Sequence, residues 1–295
     1  MRHFVACCVA VSIFFSKTFS QDSTLSVSSS TNVQTSNSSS AFNAKDVYKI
    51  SWKADAPITG VGLGLSVLGL HLIQNKDSLT LAEANAKSRS DIPSFDRGNA
   101  GFYSETANSN SYIPFFAGFA MPLVFVVADK TERQQAGKIL IMYTESLAIT
   151  SALYTMTAGS VQRSRPLVYP DKEGNYKADE GKRTSNNSQR AFYAGHVAAT
   201  ASASFFAAKV YSDLHPDSKF RTYMWVAAAA LPAVTAYYRY EAGQHFLSDC
   251  IIGYGIGAAS GILVPALHKT KMMNNVTIAP AVWQNAKGLS IAYNF

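Results

Sequence analysis

The sequence predicts an all-α fold: a helical bundle embedded in a membrane, closed by a short C-terminal β-hairpin. Three observations point there. Six apolar stretches of near-spanning length follow one another along the 295 residues. Charged residues make up only 15%, against roughly 25% in ordinary soluble domains. Gly253, Gly257 and Gly261 recur every four residues in the last stretch, a spacing that lets helix backbones approach closely in lipid. The same stretches also suit the buried helices of a soluble bundle, since none is an unbroken apolar run of about twenty residues.

Residues 1–20 read as a secretory signal. Arg2 and His3 supply the charged start, Phe4 to Phe15 the apolar core and Thr18-Phe-Ser20 the small-residue cleavage site. Cys7 and Cys8 would leave with that signal. Cys250 would then pack alone as a small hydrophobe, with no intramolecular disulfide to form. Residues 21–45, rich in Ser, Thr and Asn, bury too little to offset their ordering entropy and read as a flexible lead. A helical domain is expected over 46–272, with its catalytic core at about 112–268.

The six stretches are Ile58–Ile73, Tyr112–Ala128, Ile139–Ala158, His196–Tyr211, Tyr223–Tyr238 and Phe246–Leu267. Glu145 in the third reads as a polar contact within the bundle. The tail 273–295 alternates apolar and polar residues on either side of Gln284-Asn-Ala-Lys-Gly288, a hairpin signal. Net charge is +7, but the cations are scattered between apolar runs. That argues against a nucleic-acid partner and for a membrane surface or a phosphate substrate. No His or Cys spacing suggests a metal, and no glycine loop opens a nucleotide site. No cofactor is expected.

Three clusters fall at helix ends on one side of an up-down bundle. They are Arg163-Ser-Arg165-Pro166, then Phe192-Tyr-Ala-Gly195-His196, then Arg239-x5-His245-x3-Asp249. Arginine guanidiniums offer planar donors that match phosphate oxygens. A glycine before a helix leaves backbone N–H groups free for an anion. A helix running from about residue 245 would set His245 and Asp249 on one face, where the carboxylate could fix the imidazole tautomer.

In these blocks the chain resembles the type 2 phosphatidic acid phosphatase / vanadium haloperoxidase superfamily. That family's pattern is Lys-x6-Arg-Pro, Pro-Ser-Gly-His and Ser-Arg-x5-His-x3-Asp. Arg165-Pro166, Gly195-His196, Arg239, His245 and Asp249 match it. The resemblance implies a metal-independent phosphatase in which His245 attacks phosphorus, Asp249 orients it and His196 protonates the leaving oxygen. Arg165, Arg239, the Gly195 amide and neighbouring Arg163 would hold the phosphate.

Four positions depart from the pattern. Ala158 stands for the lysine, Tyr193-Ala194 for Pro-Ser, and Tyr238 for the serine before Arg239. Arg163, Lys182, Arg183 or Arg190 are candidates for the missing charge, and Tyr193 or Tyr238 for a hydroxyl. The expected substrate is a phosphate monoester or pyrophosphate of a lipid, hydrolysed at a cell-envelope membrane with the site facing the periplasm. The alternatives are a secreted soluble acid phosphatase, a vanadate-dependent haloperoxidase, and a non-catalytic phosphate- or lipid-binding relic of the fold.

Overall fold

The computed structural model describes residues 47–270 and the backbone of two strands, 276–283 and 286–293. The predicted signal 1–20 and lead 21–45 lie outside the described residues. Each apolar stretch forms one long helix: α1 (Trp52–Gln74), α2 (Tyr112–Ala128), α3 (Ala136–Ser160), α4 (Gly195–Leu214), α5 (Phe220–Glu241) and α6 (Leu247–Leu267).

Small residues set the helix directions. Gly62 and Gly69 of α1 lie against Ala148 and Thr155 of α3, so those two helices run parallel. Gly253, Gly257 and Gly261 of α6 face the carbonyls of Ala194, Ala198 and Ser202 on α4, again in rising order. A Cβ at any of these three would run into backbone, which is why the four-residue glycine repeat is needed here. In contrast, Ser204 pairs with the Ala228 carbonyl and Thr235 with Thr200, so α5 runs antiparallel to α4. The helices therefore alternate up and down, and the 75–111 and 161–194 segments meet at one end. That end is the mouth.

Helix α4 is the core. Its Ala, Ser and Thr side chains are small enough for four neighbours to pack around it, and its buried hydroxyls are satisfied inside the bundle. Ser202 Oγ lies 2.9 Å from Ser146 Oγ and accepts from Thr150 Oγ1 at 3.0 Å, while Ser204 Oγ donates to the Ala228 carbonyl at 2.9 Å. Such bonds contribute about 0.6 kcal/mol each in lipid.

The outside is apolar. Val61, Val67, Ile113, Phe116, Val127, Val226 and Leu263 are all exposed. The helices Trp52–Gln74, Glu105–Ala128, Ala136–Ser160 and Leu247–Leu267 are long and apolar enough to cross a membrane. Polar inside and apolar outside is the pattern of a bundle whose solvent is lipid, so the protein is a membrane-embedded helical bundle.

At the far end the two chain ends of the bundle are stitched together. Lys49 N–H donates to the His268 carbonyl at 3.0 Å and Thr270 N–H to the Val47 carbonyl at 3.1 Å. In the tail, Val276–Trp283 pairs antiparallel with Ala286–Tyr293, Val276 opposite Tyr293 and Trp283 opposite Ala286. The second strand takes in Ala286, Lys287 and Gly288, which the sequence pattern placed in the turn. The ladder runs as far as the Trp283–Ala286 pair.

Candidate active site

The mouth is built by three loops that fasten one another. Arg165 precedes a short turn, Pro166–Val168, whose proline presets its first dihedral. Its backbone N–H donates to the Ser188 carbonyl at 2.8 Å, and Leu167 N–H donates to the Gly243 carbonyl at 3.1 Å. Gly243 itself has φ +66°, a conformation that disfavours a side chain. It turns the chain from the end of α5 into Gln244 and His245. Asn99 Nδ2 holds this corner, donating to the carbonyls of Tyr240 (3.0 Å) and His245 (2.9 Å).

These loops enclose a cavity of 390 Å³ lined by Arg165, Arg190, His196, Arg239, Gln244 and His245, with Tyr112 and Tyr154 at its side and Lys182 among its lining residues. His245 is 1% exposed. Its Nδ1 lies 2.6 Å from the Ala191 carbonyl. A carbonyl only accepts, so Nδ1 carries the proton and Nε2 is left as a bare lone pair. Burial, then Arg239 and Arg165, push the His245 pKa well below 6.5, which keeps the ring neutral.

The two guanidiniums are held without being neutralised. Arg239 Nη1 donates to Asn108 Oδ1 at 2.6 Å and Nη2 to Gln244 Oε1 at 3.4 Å. Arg165 Nη1 donates to the same Gln244 oxygen. Both Nε atoms are buried with no hydrogen-bond partner among the described residues. Burial and the neighbouring Arg239 push the Arg165 pKa down to about 9. Two buried cations fixed by neutral amides make a cradle for an anion.

His196, on the first turn of α4, packs against the rings of Tyr112 (5.3 Å between centroids) and Phe115 (4.9 Å). Gly195 is needed for space. A Cβ there would sit 2.5 Å from the ring of Tyr154, which itself lines the cavity.

Two expected site residues stand elsewhere. Arg163 pairs with Asp96 Oδ2 at 2.7 Å and with Asp249, lies over the Phe246 ring at 4.7 Å, and lines a separate cavity. Asp249 is wholly buried, taking Arg163 on Oδ1 and the Phe246 N–H on Oδ2 at 2.9 Å. Among the described residues it makes no hydrogen bond to His245, because the helix begins at Leu247 rather than at 245. His245 and Asp249 therefore do not share a helical face. Asp249 caps its own helix, and the Ala191 carbonyl orients the imidazole instead.

Of the four cations proposed for the missing charge, Lys182 and Arg190 reach the cavity. Arg183 is spent on the carbonyls of Val168 and Ala84. Tyr193 and Tyr238 do not line the cavity, and neither does Ala158 or Ala194. A fifth cation went unforeseen. Lys76, just past α1, donates to the carbonyls of Ala158 (2.7 Å), Val161 (2.6 Å) and Gln189 (3.2 Å), capping α3 where the family pattern has its lysine. Gln244, Asn108 and Tyr154 were also missed. Gln244 had one signal, its place beside His245; the other two had none.

Residues 139–273 match the model of the PAP2 superfamily. Arg165, Gly195, His196, Arg239, His245 and Asp249 all fall inside that segment. Among solved structures the chain is similar to one described as "Crystal structure of the first transmembrane PAP2 type phosphatidylglycerolphosphate phosphatase from Bacillus subtilis". The two are 16% identical, with 70% of this chain and 94% of that chain covered and a TM-score of 0.41. No curated protein matches the chain.

Proposed function

We propose that this protein is a membrane phosphatase that hydrolyses a phosphate monoester or pyrophosphate of a lipid through a phosphohistidine at His245. The PAP2 match supports a phosphoric ester hydrolase. The observation that carries the finer reading is the pairing of a bare, buried Nε2 on His245 with Arg165 and Arg239, two buried guanidiniums that line the same cavity. The His245 lone pair attacks phosphorus, and the bond to the leaving oxygen breaks with its electron pair on that oxygen. His196, which burial and the neighbouring arginines Arg239 and Arg165 bias toward the neutral form, takes up a proton beside the phosphate dianion and gives it to that oxygen. Water then attacks phosphorus, His196 takes back a proton, and the N–P bond breaks to release inorganic phosphate. The guanidiniums stabilise the charge that builds on the equatorial oxygens.

The apolar exterior supports a lipid as substrate over a soluble ester. The purified protein in detergent is expected to release phosphate from a phosphorylated lipid and to show an acid-labile phosphate on His245 by mass spectrometry. Full hydrolysis by His245→Ala would sink the mechanism. Vanadate binding without any turnover would make the chain a phosphate-binding relic.

The mouth is proposed to face the periplasm. The far end carries Lys130, Arg133 and Lys219 in its short connections and Arg221 in the first turn of α5, the bias of cytoplasmic loops. With the native cysteines replaced, an impermeant thiol reagent applied to cells with an opened outer membrane should label Glu173→Cys and spare Asp217→Cys. The reverse pattern would place the mouth in the cytoplasm.

A further inference from the structure

The far end of the bundle holds a second polar cluster with no part in the phosphatase reading. Asp55 comes from the first turn of α1, Glu145 from α3 and His268 from the residue that caps α6. They are 6%, 4% and 6% exposed. The sequence treated Glu145 as an isolated polar contact and gave no partner to the other two.

The tautomer of His268 is set by its neighbours. Its Nδ1 lies 2.8 Å from the Val264 carbonyl, so in the neutral ring Nδ1 carries the proton and Nε2 is a lone pair. That lone pair points at Asp55 Oδ1, 3.3 Å away, and at Glu145 Oε2, 3.7 Å away. Asp55 Oδ2 is occupied by the Ser51 N–H at 2.7 Å, which turns Oδ1 inward. Both His268 Nε2 and Glu145 Oε2 are buried and lack a hydrogen-bond partner among the described residues. Three electron-pair donors thus converge, one from each side chain, with their ligand atoms within 4.8 Å of one another. Buried acceptors facing only each other are costly, and something positive belongs between them.

We propose that Asp55, Glu145 and His268 form a binding site for one divalent transition-metal ion, Zn²⁺ or a borderline ion like it. One imidazole nitrogen and two carboxylate oxygens suit that class better than the all-oxygen sets of calcium or magnesium. The spacing agrees. Tetrahedral Zn–N and Zn–O bonds of about 2.0–2.1 Å put neighbouring ligand atoms roughly 3.3 Å apart, and the two separations from Nε2 are 3.3 and 3.7 Å. The Val264 carbonyl on Nδ1 supplies the outer hydrogen bond that metal-bound histidines keep. The ion would join α1 to α3 and α6 at the end where the chain enters and leaves the bundle. It sits apart from the PAP2 cavity, so its role is to clamp the fold.

The test uses the full chain in detergent, stripped with a chelator, dialysed against Zn²⁺ and measured by elemental analysis and calorimetry. One equivalent per chain is expected, with a higher unfolding temperature and a tetrahedral absorption spectrum when Co²⁺ replaces Zn²⁺. Glu145→Gln and Asp55→Asn should each weaken binding by more than about a hundredfold. Phosphate binding at the mouth should be unchanged in both. If neither Zn²⁺ nor Co²⁺ binds the stripped wild-type chain, or if both variants bind as tightly as it does, the metal site is wrong. In that case a proton on His268 satisfies the two carboxylates.

Discussion

At the mouth, Arg165 and Arg239 are gripped by the amide oxygens of Gln244 and Asn108. At the far end, Asp213 is gripped by Lys209, Lys269 and the hydroxyl of Tyr48. Both arrangements order charged side chains in a lipid-embedded bundle. They differ in what is left over. Opposite charge neutralises Asp213, whereas a neutral amide orients a guanidinium and leaves its charge for a ligand. Where a bundle spends amides on arginines, an anion is the missing partner.

The largest test of this contrast is His245→Ala. Phosphate release should fall by about a thousandfold or more, with thermal unfolding showing that the bundle persists. Next comes Gln244→Glu, which supplies at the mouth the opposite charge that the far end already has. Vanadate inhibition should weaken by roughly 10²–10³-fold, the scale of losing an anion donor. Gln244→Ala should weaken it far less. If the two variants behave alike, the charge argument fails and Gln244 serves only as packing.

Arg163→Ala probes the structural pair beside the site. It leaves Asp96 and Asp249 without their cation, and about 3 kcal/mol of stability should be lost. Asp249→Asn should likewise lower the unfolding temperature more than kcat. A selective loss of kcat with stability intact would return Asp249 to the role of orienting His245.

The smallest effect is a pH dependence. His245 is held below 6.5 in the fold and regains its ordinary value when unfolded, so the unfolded chain binds more protons in acid. Its contribution is therefore unfavourable as pH falls through about 6.5 and vanishes above it. His245→Gln should flatten the stability profile below that pH. An unchanged slope would mean that other groups set the acid sensitivity.

The helices were legible because burial in lipid demands long apolar runs, and the run boundaries need no partner to be read. The glycine repeat of α6 was legible too, since its four-residue period is a property of one helix. Of the residues expected at the site from their spacing in short loops, Arg165, His196, Arg239 and His245 line one cavity. What the chain order could not reveal was which residues from distant segments face one another. Asn108, Tyr154 and Lys76 reach the mouth from helices whose ends meet there only after packing. Asp249 stands apart from His245 because the helix starts at Leu247 rather than at 245, so the carboxylate caps its own backbone and accepts from Arg163. Local sequence carries periodicity and spacing; the pairing of charges is a long-range outcome, settled when α2, α3, α5 and α6 come together around α4 and α1 packs on α3.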